Sequence, residues 1–305
     1  MAKENKERKS FLYYVIYAGL WCIGILYGPI SRLISFLMGR LVYYCFPKYR
    51  HIVQENLEVA FSDKSKKERI KIAKKTFANL VSLIFEIGCS LRLTEKKIHK
   101  YFQVEGFEYL VSALEKKRGA FLLTGHIGNW ELLPVVSYLM PVPGNVLYRP
   151  LDFTPLDEFF VVSRSRNNVK LFSREGALRK VVSHLRQNEV VLVLQDQNVD
   201  WYEGVFVDFF GKKACTSVGM ATMAYRLKTP IVPMFLLRTK KGFLFKMMSE
   251  VEQVFTDDAR KDIEENTQRY NDVLEEIIRQ YPDQWFWVHR RWKTAPCQPW
   301  PRREG

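Results

Sequence analysis

"GAFLLTGHIGNWELL", residues 119–133, is the stretch from which the fold is read. Its first half, 119–125, is a short apolar run closed by a glycine at each end, the pattern of a strand buried on both faces. At Asn129 the pattern changes: an amide side chain precedes Trp130 and Leu132, which reads as a capped helix start. Gly125 and Gly128 let the chain turn tightly between the two. Outward from this unit the alternation repeats. Residues 144–150, 189–196, 230–237 and 242–248 read as further strands. The stretches from Pro155, from Glu175, from Ser217 and from Asp257 to Tyr281 read as helices. This predicts an α/β fold, a central sheet flanked by helices, with ligand groups on loops at the carboxyl ends of strands. His126, Arg149 and Asp196 all stand at such ends. The final "DQWFWVHRRWKT", 283–294, mixes aromatics with cations and reads as an edge strand or an irregular cover.

Toward the amino terminus, residues 11–31 run 21 positions without a charge, and basic residues flank them at Lys3, Lys6, Arg8 and Lys9 and at Arg32 and Arg40. That length suffices for a helix across a hydrocarbon core. It exceeds a typical signal-peptide core and lacks a clean small-residue cleavage site, so the segment reads as an uncleaved membrane anchor. Gly19, Gly24, Gly28 and Pro29 also admit a kinked helix lying in one leaflet, with 33–46 continuing along the interface. The nearly balanced flanking charges do not set an orientation. The expected organisation is an anchor and interfacial helix over 1–46, then one α/β domain over 47–305. That domain opens with a basic amphipathic helix in which Ile70, Ala73, Phe77, Leu80 and Ile84 recur at helical spacing.

Composition narrows the function. The chain has 305 residues, 47% hydrophobic and 14% aromatic, which excludes a largely disordered protein. Its net charge of +14 favours an anionic surface or a phosphorylated partner. No zinc-finger spacing, RNP-like motif or phosphate loop accompanies that charge, so nucleic acid is not the expected partner. Five cysteines, distant from one another, suggest neither a disulfide framework nor a cysteine-rich zinc site.

His126 and Glu131 are the candidate chemistry. HExxH is absent and no second histidine stands at a useful spacing, so a metal site is not expected. There is no Gly-x-Ser-x-Gly elbow, and Cys215 is a poor nucleophile. If the turn after the strand folds His126 back toward the first helical turn, Glu131 can hold one ring nitrogen, leaving the other to take a proton from a hydroxyl. Backbone amides around Gly128 to Trp130 are the expected oxyanion donors. The competing reading makes His126 a buried polar residue and Glu131 a helix-terminus charge.

Taken together, the His-x4-Glu pair, "LYRPLD" (147–152), "SRSR" (163–166), "LQDQN" (194–198), "GVFVDFFGKKACTSVG" (204–219) and "PDQWFWVHRRWKT" (282–294) resemble the bacterial lipid A late acyltransferases. These belong to the wider glycerolipid and lysophospholipid acyltransferase group. The resemblance implies a mixed central sheet on the inner face of the bacterial cytoplasmic membrane, with the catalytic domain facing the cytoplasm. It implies His126 as general base, Glu131 as its partner, and an acyl thioester of acyl carrier protein or coenzyme A as co-substrate, with no other cofactor. Arg149, Arg164 and Arg166 are then expected on phosphate of an anionic acceptor or of the donor arm. Asp196 is expected to orient one of these arginines, and Asn129 counts with the substrate-binding residues. Phe209 and Gly211 are expected beside an acyl groove, with Lys212 toward a headgroup. A lysophospholipid or another glycolipid as acceptor, a silent lipid-binding protein of the same fold, and a polyanion binder are the alternatives.

Overall fold

The computed structural model describes residues 9–148, 150–165, 169–173 and 177–295. In chain order the elements are helices α1 (Phe11–Ile23), α2 (Pro29–Cys45), α3 (Pro47–Ala60), α4 (Lys66–Ser90) and α5 (Glu95–Tyr101), then strand β1 (Phe102–Glu105), helix α6 (Phe107–Glu115) and strand β2 (Ala120–Thr124). A 3-10 turn, Trp130–Leu132, leads into α7 (Leu133–Val136), followed by β3 (Gly144–Tyr148), α8 (Thr154–Arg164), β4 (Lys170–Ser173), α9 (Ala177–Arg186) and β5 (Val190–Leu194). The rest comprises β6 (Gly204–Phe209), β7 (Lys212–Ser217), α10 (Gly219–Leu227), β8 (Ile231–Arg238), β9 (Phe243–Met247) and α11 (Ala259–Gln280).

Seven strands form one mixed sheet in the order β1-β9-β8-β2-β5-β3-β4, parallel at every pairing except β8 with β9. β2 lies near the middle and its five residues are all buried. Its side chains alternate between two cores, as the pleat requires. Phe121 and Leu123 face a core shared with α3, α4, α10, α11, Trp285 and Trp287. Ala120 and Leu122 face a second core under α6 and α7. Two covered faces explain why the run reads as continuous apolar sequence. Five strands match the sequence reading; β1, β4 and the β6–β7 hairpin were not anticipated. The hairpin closes on Phe210 and Gly211, both at positive φ (55° and 72°), a two-residue turn of the kind hairpin twist favours. The "DQWFWVHRRWKT" segment is an irregular cover with a single bridge, Ile127 to Trp285.

The amino-terminal segment corrects the single-helix reading. α1 has 13 residues, about 20 Å of helix, short of the roughly 30 Å of a hydrocarbon core. Beyond it the axis turns by 110° into α2 across Tyr27 and Gly28. Gly28 has φ +138°, and Pro29 starts the second helix, where its missing N–H costs nothing. Among the described residues no single helix is long and apolar enough to cross a membrane; only this bent pair passes by length and composition. α2 is built inside out. Its buried stripe is Ser31, Ser35, Gly39 and Tyr43, with Gly39 set directly against Ala78 of α4, while Leu33, Phe36, Leu37, Met38 and Leu41 are exposed.

Candidate active site

The register of β2 with β5 builds the site. Thr124 pairs with Leu194, so both strands end at the same level, and the Gln195 amide donates to the Thr124 carbonyl at 3.0 Å. Two residues beyond that pair stand His126 and Asp196, which therefore meet at adjacent carboxyl ends. His126 Nδ1 lies 2.8 Å from Asp196 Oδ1, and the His126 amide donates to Asp196 Oδ2 at 2.8 Å. Trp285 Nε1 donates to the same oxygen at 2.7 Å.

Asp196 is 2% exposed. Burial opposes its charge, but the His126 ring, its hydrogen bond, the indole and the His126 amide outweigh that and hold the carboxyl at about 2. A charged carboxylate on Nδ1 fixes the tautomer with Nδ1–H toward Asp196 and the lone pair on Nε2. Burial also disfavours the imidazolium, yet the Asp196 charge and hydrogen bond, with the Glu131 charge, outweigh it and Arg164, and the His126 pKa is raised. Trp130 and Phe286 flank the ring, with centroids 5.0 and 6.0 Å away.

Glu131 does not hold the imidazole, contrary to expectation. It receives Nε and Nη2 of Arg164 at 2.9 and 2.7 Å and Trp130 Nε1 at 3.0 Å. Arg164, last residue of α8, also lies over the Phe160 ring. The physical reason is reach: the turn from Gly125 to Asn129 carries Glu131 to the α8 side, whereas Asp196 leaves the neighbouring strand directly beside the ring. Asp196 consequently orients His126 and not an arginine.

A second network braces the turn. Glu86, 5% exposed on α4, accepts Arg238 Nε at 2.6 Å, Arg238 Nη2 at 2.8 Å and Asn129 Nδ2 at 2.7 Å. Arg238 Nη1 donates to the Gly128 carbonyl at 2.8 Å. Asn129 Oδ1 accepts the Glu131 amide at 3.2 Å, so the expected cap is present. Because Asn129 is fully buried with both amide ends used, it is a brace and not a substrate contact. Gly128 has φ +64°, and a β-carbon there would collide with the Leu236 carbonyl. A β-carbon on Gly125 would lie 3.1 Å from Asp196 Cγ, so the close approach at this glycine is to the carboxylate.

Of the expected oxyanion donors, two are spent: Gly128 N–H donates to Gln284 O at 3.0 Å and Asn129 N–H to Leu236 O at 3.2 Å. Phe209 is fully buried against Phe210, Trp285 and Trp292, a core residue and not a groove wall. Gly211 and Lys212 form the hairpin turn and its first strand residue, outside the His126 cluster. Cys215 is buried, and burial pushes its thiol up. Arg149 and Arg166 lie outside the described residues. Sequence reasoning missed Gln197, whose Nε2 lies 3.3 Å from His126 Nε2, together with Trp285, Glu86, Arg238 and Arg291. Glu86 had left a trace: one carboxylate inside the apolar run "SLIFEIG".

At the strand ends, then, a histidine is oriented by a buried carboxylate and its other ring nitrogen faces an amide rather than a serine or cysteine. The chain belongs to the bacterial lipid A biosynthesis acyltransferase family, whose profile it matches over residues 1–294, and it is an acyltransferase. It is 29% identical over 291 residues, 93% of each chain, to the lipid A biosynthesis lauroyltransferase of Escherichia coli (strain K12). It is 25% identical over 305 residues, 97% of each chain, to the lipid A biosynthesis palmitoleoyltransferase of the same organism. A phosphatidylinositol mannoside acyltransferase of Mycolicibacterium smegmatis is 24% identical over 200 residues, 64% of each chain.

Proposed function

We propose that the protein moves a fatty acyl chain from a thioester of acyl carrier protein or coenzyme A to a hydroxyl of a lipid A precursor-like glycolipid, with His126 as general base and Asp196 as the group that orients it. The observation that carries this is the Asp196–His126 Nδ1 hydrogen bond of 2.8 Å, which leaves Nε2 as the proton acceptor on a ring side chain still 19% exposed. Nε2 takes the hydroxyl proton as the oxygen attacks the thioester carbonyl. The carbonyl π pair moves to oxygen, then returns as the carbon–sulfur bond breaks, and the imidazolium gives its proton to the departing thiolate. Glu131 keeps a negative charge near the ring that favours the imidazolium, and through its ion pair sets Arg164 at the rim of the site.

We place the enzyme on the bacterial cytoplasmic membrane with α1 and α2 in the plane of one leaflet and the sheet in the cytoplasm. Supporting this are the inside-out pattern of α2, the exposure of Phe11 (80%) and Leu33 (60%), and Arg32, Arg40, Lys48 and Arg50 around them. Leu151, Phe153 and Val162 extend the apolar surface along α8, which packs on α1 beside Arg164.

The test is transfer by the purified full chain and by His126→Ala, each given membrane lipid extract with labelled acyl carrier protein or coenzyme A thioester, products being read by mass. Transfer by the parent, lost in the variant, is expected. Equal transfer by both would remove His126 from the mechanism.

A further inference from the structure

Gln197 follows Asp196 on the loop after β5, and the backbone around it is pinned from both sides. Its carbonyl accepts Nη1 of Arg291 at 3.3 Å. Arg291 is itself fully buried and also reaches the Cys215 carbonyl at 2.7 Å and the Thr216 hydroxyl. Next along the chain, Asn198 Nδ2 donates to Thr294 Oγ1 at 2.9 Å, Asn198 Oδ1 accepts the Thr294 amide at 3.2 Å, and the Asn198 amide faces His289 Nε2 at 3.4 Å. The Gln197 side chain, by contrast, is exposed and ends 3.3 Å from His126 Nε2. Since Asp196 takes Nδ1–H, Nε2 is an acceptor, and the contact is an amide N–H donating into the lone pair that the mechanism needs.

An acceptor hydroxyl must displace that amide. When it has done so and its proton has moved, Nε2 carries hydrogen and repels the amide N–H, while negative charge appears on the carbonyl oxygen two bonds from the attacking atom. Most of the turn's amides are already used, Ile127, Gly128 and Asn129 donating to the Gly125, Gln284 and Leu236 carbonyls and Glu131 to Asn129 Oδ1, so the backbone leaves only the Trp130 amide as a candidate donor to that charge. We propose that the Gln197 side-chain amide is a catalytic hydrogen-bond donor, capping Nε2 in the resting enzyme and passing to the tetrahedral oxyanion during transfer. The donor is better used in the transition state than in the ground state, which is the condition for raising kcat. The assignment rests on His126 as base.

The experiment compares Gln197→Ala, Gln197→Glu and His126→Ala with the parent full chain, using dodecanoyl acyl carrier protein and a lipid A precursor over a pH series. Gln197→Ala should lower kcat by about 10²- to 10³-fold with KM nearly unchanged, the cost of one oxyanion donor. The groups that already face His126 are Asp196, Glu131, Arg164 and His289. Gln197→Glu adds a carboxylate against Nε2, so besides losing kcat it should move the acid limb to higher pH. Both variants change an exposed side chain, and circular dichroism should match the parent. A Gln197→Ala enzyme with parental or higher kcat, beside an inactive His126→Ala, overturns this assignment alone and makes the amide a plug. Full activity in His126→Ala overturns the base and this assignment together.

Discussion

The His126 imidazole lies between two carboxylates that act on it by different means. Asp196 touches Nδ1 and fixes tautomer and orientation; Glu131 acts through its field while its hydrogen bonds go to Arg164 and Trp130. As the proposed base, His126 must be unprotonated at Nε2 to work, and its pKa is raised above the ordinary value, so activity should fall as pH drops through that raised value. Asp196→Asn removes the largest influence favouring the imidazolium and leaves the burial of the ring less opposed. Its acid limb should move to lower pH while kcat falls by about 10²- to 10⁴-fold, because an amide no longer enforces the tautomer. Glu131→Gln should shift the limb in the same direction without touching Nδ1. The pH dependence of kcat/KM for the two variants measures both effects, and an Asp196→Asn limb superposed on the parent's would remove Asp196 from the assignment.

At the scale of elements, the site is a turn held by a helix and a strand that the sequence places far away. Glu86 on α4 and Arg238 at the end of β8 meet with side chains 6% and 12% exposed and together grip Asn129 and the Gly128 carbonyl. Removing one partner strands the other charge in a place water hardly reaches. Glu86→Ala is therefore expected to lower the unfolding free energy by about 3 to 5 kcal/mol, read by urea titration in detergent, with a loss smaller than 1 kcal/mol counting against a bracing role. This layer also marks where reading the sequence stops. The strand at 119–125, the cap at Asn129 and the glycine turn are local patterns and were legible. The partner of His126 was not, because Asp196 arrives through the pairing of Thr124 with Leu194, a register between strands 70 residues apart. A short carboxylate offset of five residues looked like the better partner, and the turn carries it away. Phe209 misled for a related reason: an aromatic run beside glycine and lysines reads alike as a groove or as a hairpin, and only packing against Trp285 and Trp292 decides.

On the scale of the whole molecule, the amino-terminal pair gives the protein a side. α2 turns Ser31, Ser35 and Gly39 inward and its large apolar residues outward, the reverse of a helix packed against water. Leu33, Leu37 and Leu41, spaced by four, share one outward stripe and are 60%, 51% and 52% exposed. Because these side chains are outside both cores, the Leu33→Asp, Leu37→Asp, Leu41→Asp triple variant should leave the unfolding midpoint nearly unchanged. Each leucine half-buried in lipid contributes about 1 kcal/mol, so the three together should weaken partitioning onto vesicles by roughly 10²-fold or more. Sedimentation with phosphatidylethanolamine and phosphatidylglycerol vesicles measures this, and raising salt should weaken the parent further as Arg32, Arg40, Lys48 and Arg50 are screened from the anionic lipid. Loss of binding with retained turnover of a detergent-dispersed acceptor would separate docking from chemistry. Parental binding by the triple variant would mean that the exposed stripe of α2 is not the lipid-facing surface.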